Sequence, residues 1–154
     1  MKSWSADTPT GTSRTGLSLL QAGREPADEG WTQLQQQITD ARPTIIFVGY
    51  GMASSFDGAA GLAKFKADYH RLLDTIERVS PGARLVLLSP LRHEKLGGAW
   101  PDPTAHNSQL ALYAKAVGEI AAARRARFVS LYDLLPAGSS VPGAEKLTDN
   151  GLQP

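Results

Sequence analysis

Three short apolar runs, TIIFVG at 44–49, RLVLLS at 84–89 and RFVSLY at 127–132, alternate with longer stretches whose apolar residues recur every three or four positions. Few folds accept that alternation. Uninterrupted runs of β-branched and aromatic residues are the pattern of parallel strands covered on both faces. The spacing of Trp31, Leu34 and Ile38 predicts a helix over 28–41, closed by Pro43. Leu62, Phe65, Tyr69, Leu72, Leu73 and Ile76 predict a second over 59–79, and Leu110, Tyr113, Val117 and Ile120 a third over 104–125. Helix, strand, helix, strand, helix, strand with short links gives parallel strands joined by right-handed crossovers. The expected class is α/β, a three-layer α/β/α arrangement around a parallel sheet of three strands with three main helices. Residues 1–27 and 136–154, rich in Ser, Thr, Gly and Pro, read as loops flanking a single core at 28–135.

Composition narrows the function. Sixteen Lys and Arg against fifteen Asp and Glu leave a formal charge of +1, so no strong field draws nucleic acid or an anionic membrane to the chain. Without cysteine there is no disulfide, no thiolate nucleophile and no zinc-ribbon site. Residues 1–20 lack the apolar stretch of a signal peptide, and no apolar run is long enough to span a bilayer, so the expectation for the chain as given is a cytoplasmic location.

In parallel sheets, ligands sit beyond the carboxyl ends of the strands. Here those ends carry Tyr50, Gly51, Ser54 and Ser55 after the first strand, Arg92, His93 and Glu94 after the second, and a loop from Asp133 after the third. Gly49-x-Gly51-x-x-Ser54 approaches a dinucleotide fingerprint but lacks its third glycine, and two glycines equally serve a chain turning out of a sheet. A serine nucleophile needs a neighbouring base, and the 49–55 loop holds none. Of the three histidines, His93 is best placed for catalysis, with Glu94 or Asp102 to orient it. His70 is expected on a partly solvated helix face and His106 exposed in the first turn of the third helix. No metal-site spacing such as H-E-x-x-H occurs, and no cofactor is expected.

WSADTPTG near the start, PTIIFVGYGMASSFDG, GARLVLLSPLRHEKLG with DPTAHNSQLALYAKAV, and LTDNGLQP at the end resemble, in order and spacing, the second to fifth sequence blocks of the SGNH/GDSL-type ester hydrolases. The resemblance covers nearly the whole chain. It implies a flavodoxin-like fold and, in the family, hydrolysis of carboxylic esters: a serine of the first block attacks, a glycine N–H and an asparagine amide hold the oxyanion, and a histidine, with an aspartate three residues before it, is the base. Position by position, the family's glycine falls on Ala6, its asparagine on Ala53, its aspartate on Asn150 and its histidine on Gln153. The serine block has no counterpart, so the resemblance implies an incomplete domain, inactive as given, with no intact catalytic residue. The remaining cleft candidates are Ser5, Asp7, Tyr50, Gly51, Ser54, Ser55, Arg92, His93 and Glu94.

Four readings stay open on sequence alone: an inactive esterase homologue, a non-catalytic ligand-binding or assembly module, an active hydrolase with a rearranged site using His93 and Ser54, Ser55 or Ser89, and an unrelated nucleotide binder. A small-molecule ester is the expected partner if there is one. The strand at 44–49, lacking the family's first two strands beside it, is expected to present an apolar edge through which copies self-associate.

Overall fold

The computed structural model describes residues 27–96 and 100–134, with side chains from Gly30 onward. The elements run α1 (Ala27–Ala41), β1 (Ile45–Gly49), a 3₁₀ segment (Ser54–Gly61), α2 (Leu62–Val79), β2 (Arg84–Leu88), α3 (Thr104–Arg124), β3 (Arg127–Val129) and α4 (Leu131–Leu134). The α/β class and the parallel sheet stand as expected: β1 pairs with β2 and β2 with β3, in that order, both parallel. The described residues fall into two compact units, 27–44 with 67–83 and 45–66 with 84–134, the boundary crossing α2 after Lys66.

In the first unit, Trp31 of α1 is buried, and the Arg71 guanidinium lies 5.1 Å from its ring centroid. Arg78 Nη2 donates to Gln35 Oε1 at 3.1 Å, so the two helices meet through polar heads as well as apolar stems. Tyr69, Leu72, Leu73 and Ile76, the stripe expected to point inward, are all buried. An open groove of about 310 Å³, lined in part by Ile38, Arg42, Pro43, Val79 and Pro81, lies on the residues that lead into β1 and β2 rather than on the loops that leave them.

The second unit holds the whole sheet. Registers Phe47↔Val86↔Arg127 and Val48↔Leu87↔Phe128 put Val48, Leu87 and Phe128 on one face, and α3 packs on β2 and β3. Gly118 of α3 approaches the Phe128 ring so closely that an added Cβ would sit 3.2 Å from Cε1, which places the helix on that face. Ile45 and Phe47 point the other way and are 43% and 66% exposed. The expectation that 44–49 is covered on both faces is therefore corrected: among the described residues, one face of β1 is open. Buried along α3 are Leu110, Tyr113, Val117 and Ile120, as the spacing requires, with Ala114, Ala116 and Ala121 allowing close approach.

The third strand is shorter than RFVSLY predicts. It ends at Val129, and Leu131–Leu134 is a helical turn. Ser130 explains the break, because its hydroxyl accepts from the Asp133 N–H at 3.3 Å and donates to Asp133 Oδ2 at 2.6 Å, a reciprocal cap that offers the backbone an alternative to the ladder. The second helix likewise starts at Leu62, its expected first turn being part of the 3₁₀ segment. The flanking segments read as loops lie outside the described residues, apart from Ala27, which opens α1. Among the described residues, no helix is long and apolar enough to cross a membrane.

Candidate functional site

The chain leaves β1 through Tyr50 and Gly51 and turns at once. Gly51 adopts φ +126°, and an added Cβ would stand 3.4 Å from the Pro90 ring, so backbone freedom and the close approach of the second strand-end loop both favour glycine here. Tyr50 is half-buried, and burial pushes its phenol up from the ordinary value. Backbone bonds from Ser55 N to Gly51 O, 2.9 Å, and from Phe56 N to Ala53 O, 3.3 Å, wind the next residues into the 3₁₀ segment.

A row of polar residues on α3 lines that segment, and its two ends, His106 and Tyr113, are hydrogen-bonded to it. His106, Gln109 and Tyr113, at i, i+3 and i+7, share one face of the helix. His106 Nε2 lies 2.7 Å from Ser55 Oγ, the Gln109 amide oxygen lies where a Gly58 Cβ would be 3.4 Å away, and the Tyr113 hydroxyl donates to Gly58 O at 2.9 Å. His106 is thus half-buried and bonded across 51 residues of sequence, which corrects the expectation of an exposed helix histidine. Phe56, itself 67% exposed, stacks on the His106 ring with centroids 4.0 Å apart and planes 20° from parallel.

Hydrogen-bond lengths allow the protons along this chain to be assigned. The Ser55 hydroxyl has one proton, and its oxygen stands 2.6 Å from Met52 O as well as 2.7 Å from His106 Nε2. Two oxygens at 2.6 Å with no proton between them repel, so the proton lies toward Met52 O and Ser55 accepts from His106 Nε2–H. His106 Nδ1 then carries a lone pair, and His93 Nδ1, 3.0 Å away, must donate to it. His93 Nε2 is left as a bare lone pair, buried and without a partner among the described residues. Both rings are neutral in this scheme. Burial lowers the pKa of His93 to about 4, with the neighbouring His106 ring as the second cause, and burial lowers that of His106.

The second strand-end loop is pinned by Asn107 and Tyr132. Asn107 Oδ1 accepts from the His93 N–H at 2.7 Å while its Nδ2 donates to His93 O at 3.0 Å, holding the histidine backbone from both sides. Arg92 donates from Nε to Tyr132 O at 2.7 Å, lies 4.1 Å over the Tyr132 ring and reaches Asp133 at 3.9 Å. Ser89 Oγ accepts from the Tyr132 N–H at 2.9 Å and donates to Pro90 O at 3.1 Å, so this buried hydroxyl is fully engaged.

Of the residues singled out from sequence, Tyr50, Gly51, Ser54, Ser55, Arg92, His93 and Glu94 lie on the two loops leaving β1 and β2, and Ser54, Ser55 and Glu94 are buried. Ser5, Ala6, Asp7, Asn150 and Gln153 lie outside the described residues. His93 meets the ring of His106, while Asp102 bonds Lys95 Nζ at 2.8 Å and the Thr104 N–H at 2.9 Å, at the entry to α3. Sequence reasoning did not single out Phe56, Asn107 or Tyr132, and it read His106 as an exposed helix residue and Tyr113 as part of the apolar stripe. The 106, 109, 113 spacing was the available signal for the helix members. Among the described residues no group of three or more His, Asp or Glu is placed to hold a metal ion.

Comparison with known proteins bears on the scaffold. No protein-family model matches the chain, and no curated protein sequence matches it. Among solved structures it is similar to an extracellular lipase from Streptomyces rimosus, with a TM-score of 0.50 and 17% identity over 78% of this chain and 69% of that one. At that identity the likeness concerns the fold: this chain shares the α/β architecture of a lipase.

Proposed function

We propose that this chain is an SGNH/GDSL-type ester-hydrolase scaffold that, as it stands, does not turn over carboxylic esters. The observation that carries the reading is the 2.6 Å contact from the Ser55 hydroxyl to Met52 O, from which the polarity of the Ser55–His106 bond is assigned. A nucleophilic serine hands its proton to an imidazole with a free lone pair. With the protons assigned as above, the Ser55 hydroxyl donates to Met52 O, and His106 Nε2 holds a proton of its own. Ser55 is also 0% exposed, so a substrate carbonyl has no path to its oxygen in this conformation. Ala53, the position matched to the family's asparagine, is half-buried and brings only backbone groups; losing one oxyanion donor costs about 10²–10³ in kcat. Gln153 and Asn150, matched to the base and its aspartate, extend the same reading, since neither side chain accepts a proton at neutral pH. The fold likeness to a lipase supports the scaffold half of the proposal and leaves activity to experiment.

The test is the initial rate of hydrolysis of p-nitrophenyl acetate and butyrate by the purified chain. The expected rate equals that of the heat-denatured protein at the same concentration. Saturable turnover that disappears in Ser55→Ala or His106→Ala would replace the proposal with an active, rearranged site.

A further inference from the structure

We infer that the Ser55–His106–His93 chain is a proton-sensitive latch, holding the start of the 3₁₀ segment on α3 only while both imidazoles are neutral. In the neutral arrangement every contact has one donor and one acceptor: Ser55 to Met52 O, His106 Nε2 to Ser55, His93 Nδ1 to His106 Nδ1. A proton added to His93 must go on Nε2. A proton added to His106 must go on Nδ1, which forces the His93 proton from Nδ1 to Nε2. Both routes end at the same atom, and that atom is buried without a partner among the described residues. Acidification therefore creates a buried N–H with no acceptor together with a charge shared between two half-buried rings 4.3 Å apart.

Asp57 lies on the 3₁₀ segment, Arg92, Glu94 and Lys95 on the loop after β2, Asp102 at the entry to α3, and Asp133 on α4. Of the carboxylates on the elements around the latch, Asp102 and Asp133 are already engaged, Asp102 by Lys95 and Thr104 and Asp133 by Ser130 and Arg92. Burial and His106 are the causes that lower His93, with no carboxylate opposing them. When the latch opens, the Tyr113–Gly58 bond still holds the far half of the segment, so motion is confined to Ser54, Ser55 and Phe56 with the preceding Ala53. Acid thereby loosens the loop at the carboxyl end of β1. The latch stands on its own geometry; only its relevance to ligand access rests on the proposed hydrolase scaffold, and the ester assay above fails or succeeds independently of it.

The experiment is NMR on the full ¹⁵N-labelled chain. Long-range ¹H–¹⁵N histidine spectra at pH 7.5 are expected to show His106 protonated at Nε2 and His93 at Nδ1. Amide exchange of Ser54, Ser55 and Phe56, corrected for intrinsic rates, is expected to accelerate about tenfold relative to Leu87 of β2 between pH 7 and pH 5. In His93→Gln, which removes the imidazole Nε2 on which both routes end and whose amide can still donate to His106 Nδ1, the acceleration is expected to vanish. The inference is overturned by either imidazole titrating at or above its ordinary value, by protection at 54–56 that is unchanged on acidification, or by a His93→Gln protein that loosens as the wild type does. Should His93→Gln fail to fold, the wild-type tautomers and exchange decide alone.

Discussion

Gly58 tests whether the 3₁₀ segment has the backbone that seats Ser55 on His106. Its φ of 59° and ψ of −154° lie in a region that residues with a Cβ essentially never occupy. Replacing it with alanine adds one methyl, which would meet the Gln109 amide oxygen at 3.4 Å and its Cδ at 3.8 Å. That neighbour is the end of a flexible side chain, so the contact itself costs little and the backbone carries the penalty. Strain of this kind costs about 1–3 kcal/mol, partly offset by roughly 0.4–1 kcal/mol from the stiffer unfolded chain. The expected net loss is about 1–2 kcal/mol, a fall in Tm of roughly 2–8 °C for a chain of this size. Gly82→Ala is the control, since a Cβ there meets nothing within 4 Å. Melts of both variants followed by circular dichroism should separate them. A Gly58→Ala protein as stable as Gly82→Ala would mean that the segment does not take this path, and the Ser55–His106 contact would lose its support.

Tyr113→Phe keeps the edge-on ring contact with Phe65, centroids 4.9 Å apart, and deletes only the bond to Gly58 O; it should cost about 0.5–1.5 kcal/mol in urea denaturation, and no loss would deny the bond. Because His93 has a folded pKa near 4 against an ordinary 6.5, the unfolded chain binds the extra proton first. Its contribution is therefore complete above pH 6.5 and is lost as pH falls toward 4. Discounted for partial exposure, the loss is roughly 1–2 kcal/mol, read as the difference between wild type and His93→Gln at pH 7.5 and 5; a wild type that gains stability over that window relative to the variant refutes the sign. Self-association through β1 is expected, and Phe47→Lys on its open face should abolish it in sedimentation velocity without lowering Tm; a wild type that stays monomeric throughout would remove that expectation.

What could be read from the sequence was what repeats along it. Tyr69, Leu72, Leu73 and Ile76 announce a buried helical stripe because the period is local, and IIFVG and RLVLL announce strands for the same reason. The errors arise where a side chain competes with that period or finds a distant partner. Ser130 and Asp133 stop the third strand through a cap spelled out in four residues, a local signal masked by the apolar run around it. His106 looks like solvent-facing helix until the chain returns from Ser55, and no local rule brings those two together. Phe47 sits in a run that reads as doubly buried, yet burial on the second face depends on what packs there, a property of topology rather than of the run. The strand-end location of the candidate residues followed from the α/β rule alone, whereas the order of bonds among them needed coordinates.

A serine 2.7 Å from a histidine, on a lipase-like scaffold, invites a catalytic interpretation that distance cannot sustain. The deciding quantity is where one hydroxyl proton rests, and that is set by a main-chain carbonyl, Met52 O, which no side-chain substitution removes. Ala53→Asn is therefore an informative failure: it places an amide where the sequence resemblance to ester hydrolases puts an oxyanion donor, yet leaves the Ser55 hydroxyl donating to Met52 O. The variant should hydrolyse p-nitrophenyl acetate no faster than the parent chain. Were it to gain saturable turnover that Ser55→Ala abolishes, the hydroxyl would have to be free to pass its proton to His106, and the polarity assigned from the 2.6 Å contact would be wrong. A rate that rises but persists in Ser55→Ala would instead locate the nucleophile elsewhere and leave the latch intact. Converting this tie into an acyl-transfer pair requires turning the Met52–Ala53 peptide away from Ser55, a change of backbone path through the turn that Gly51 begins.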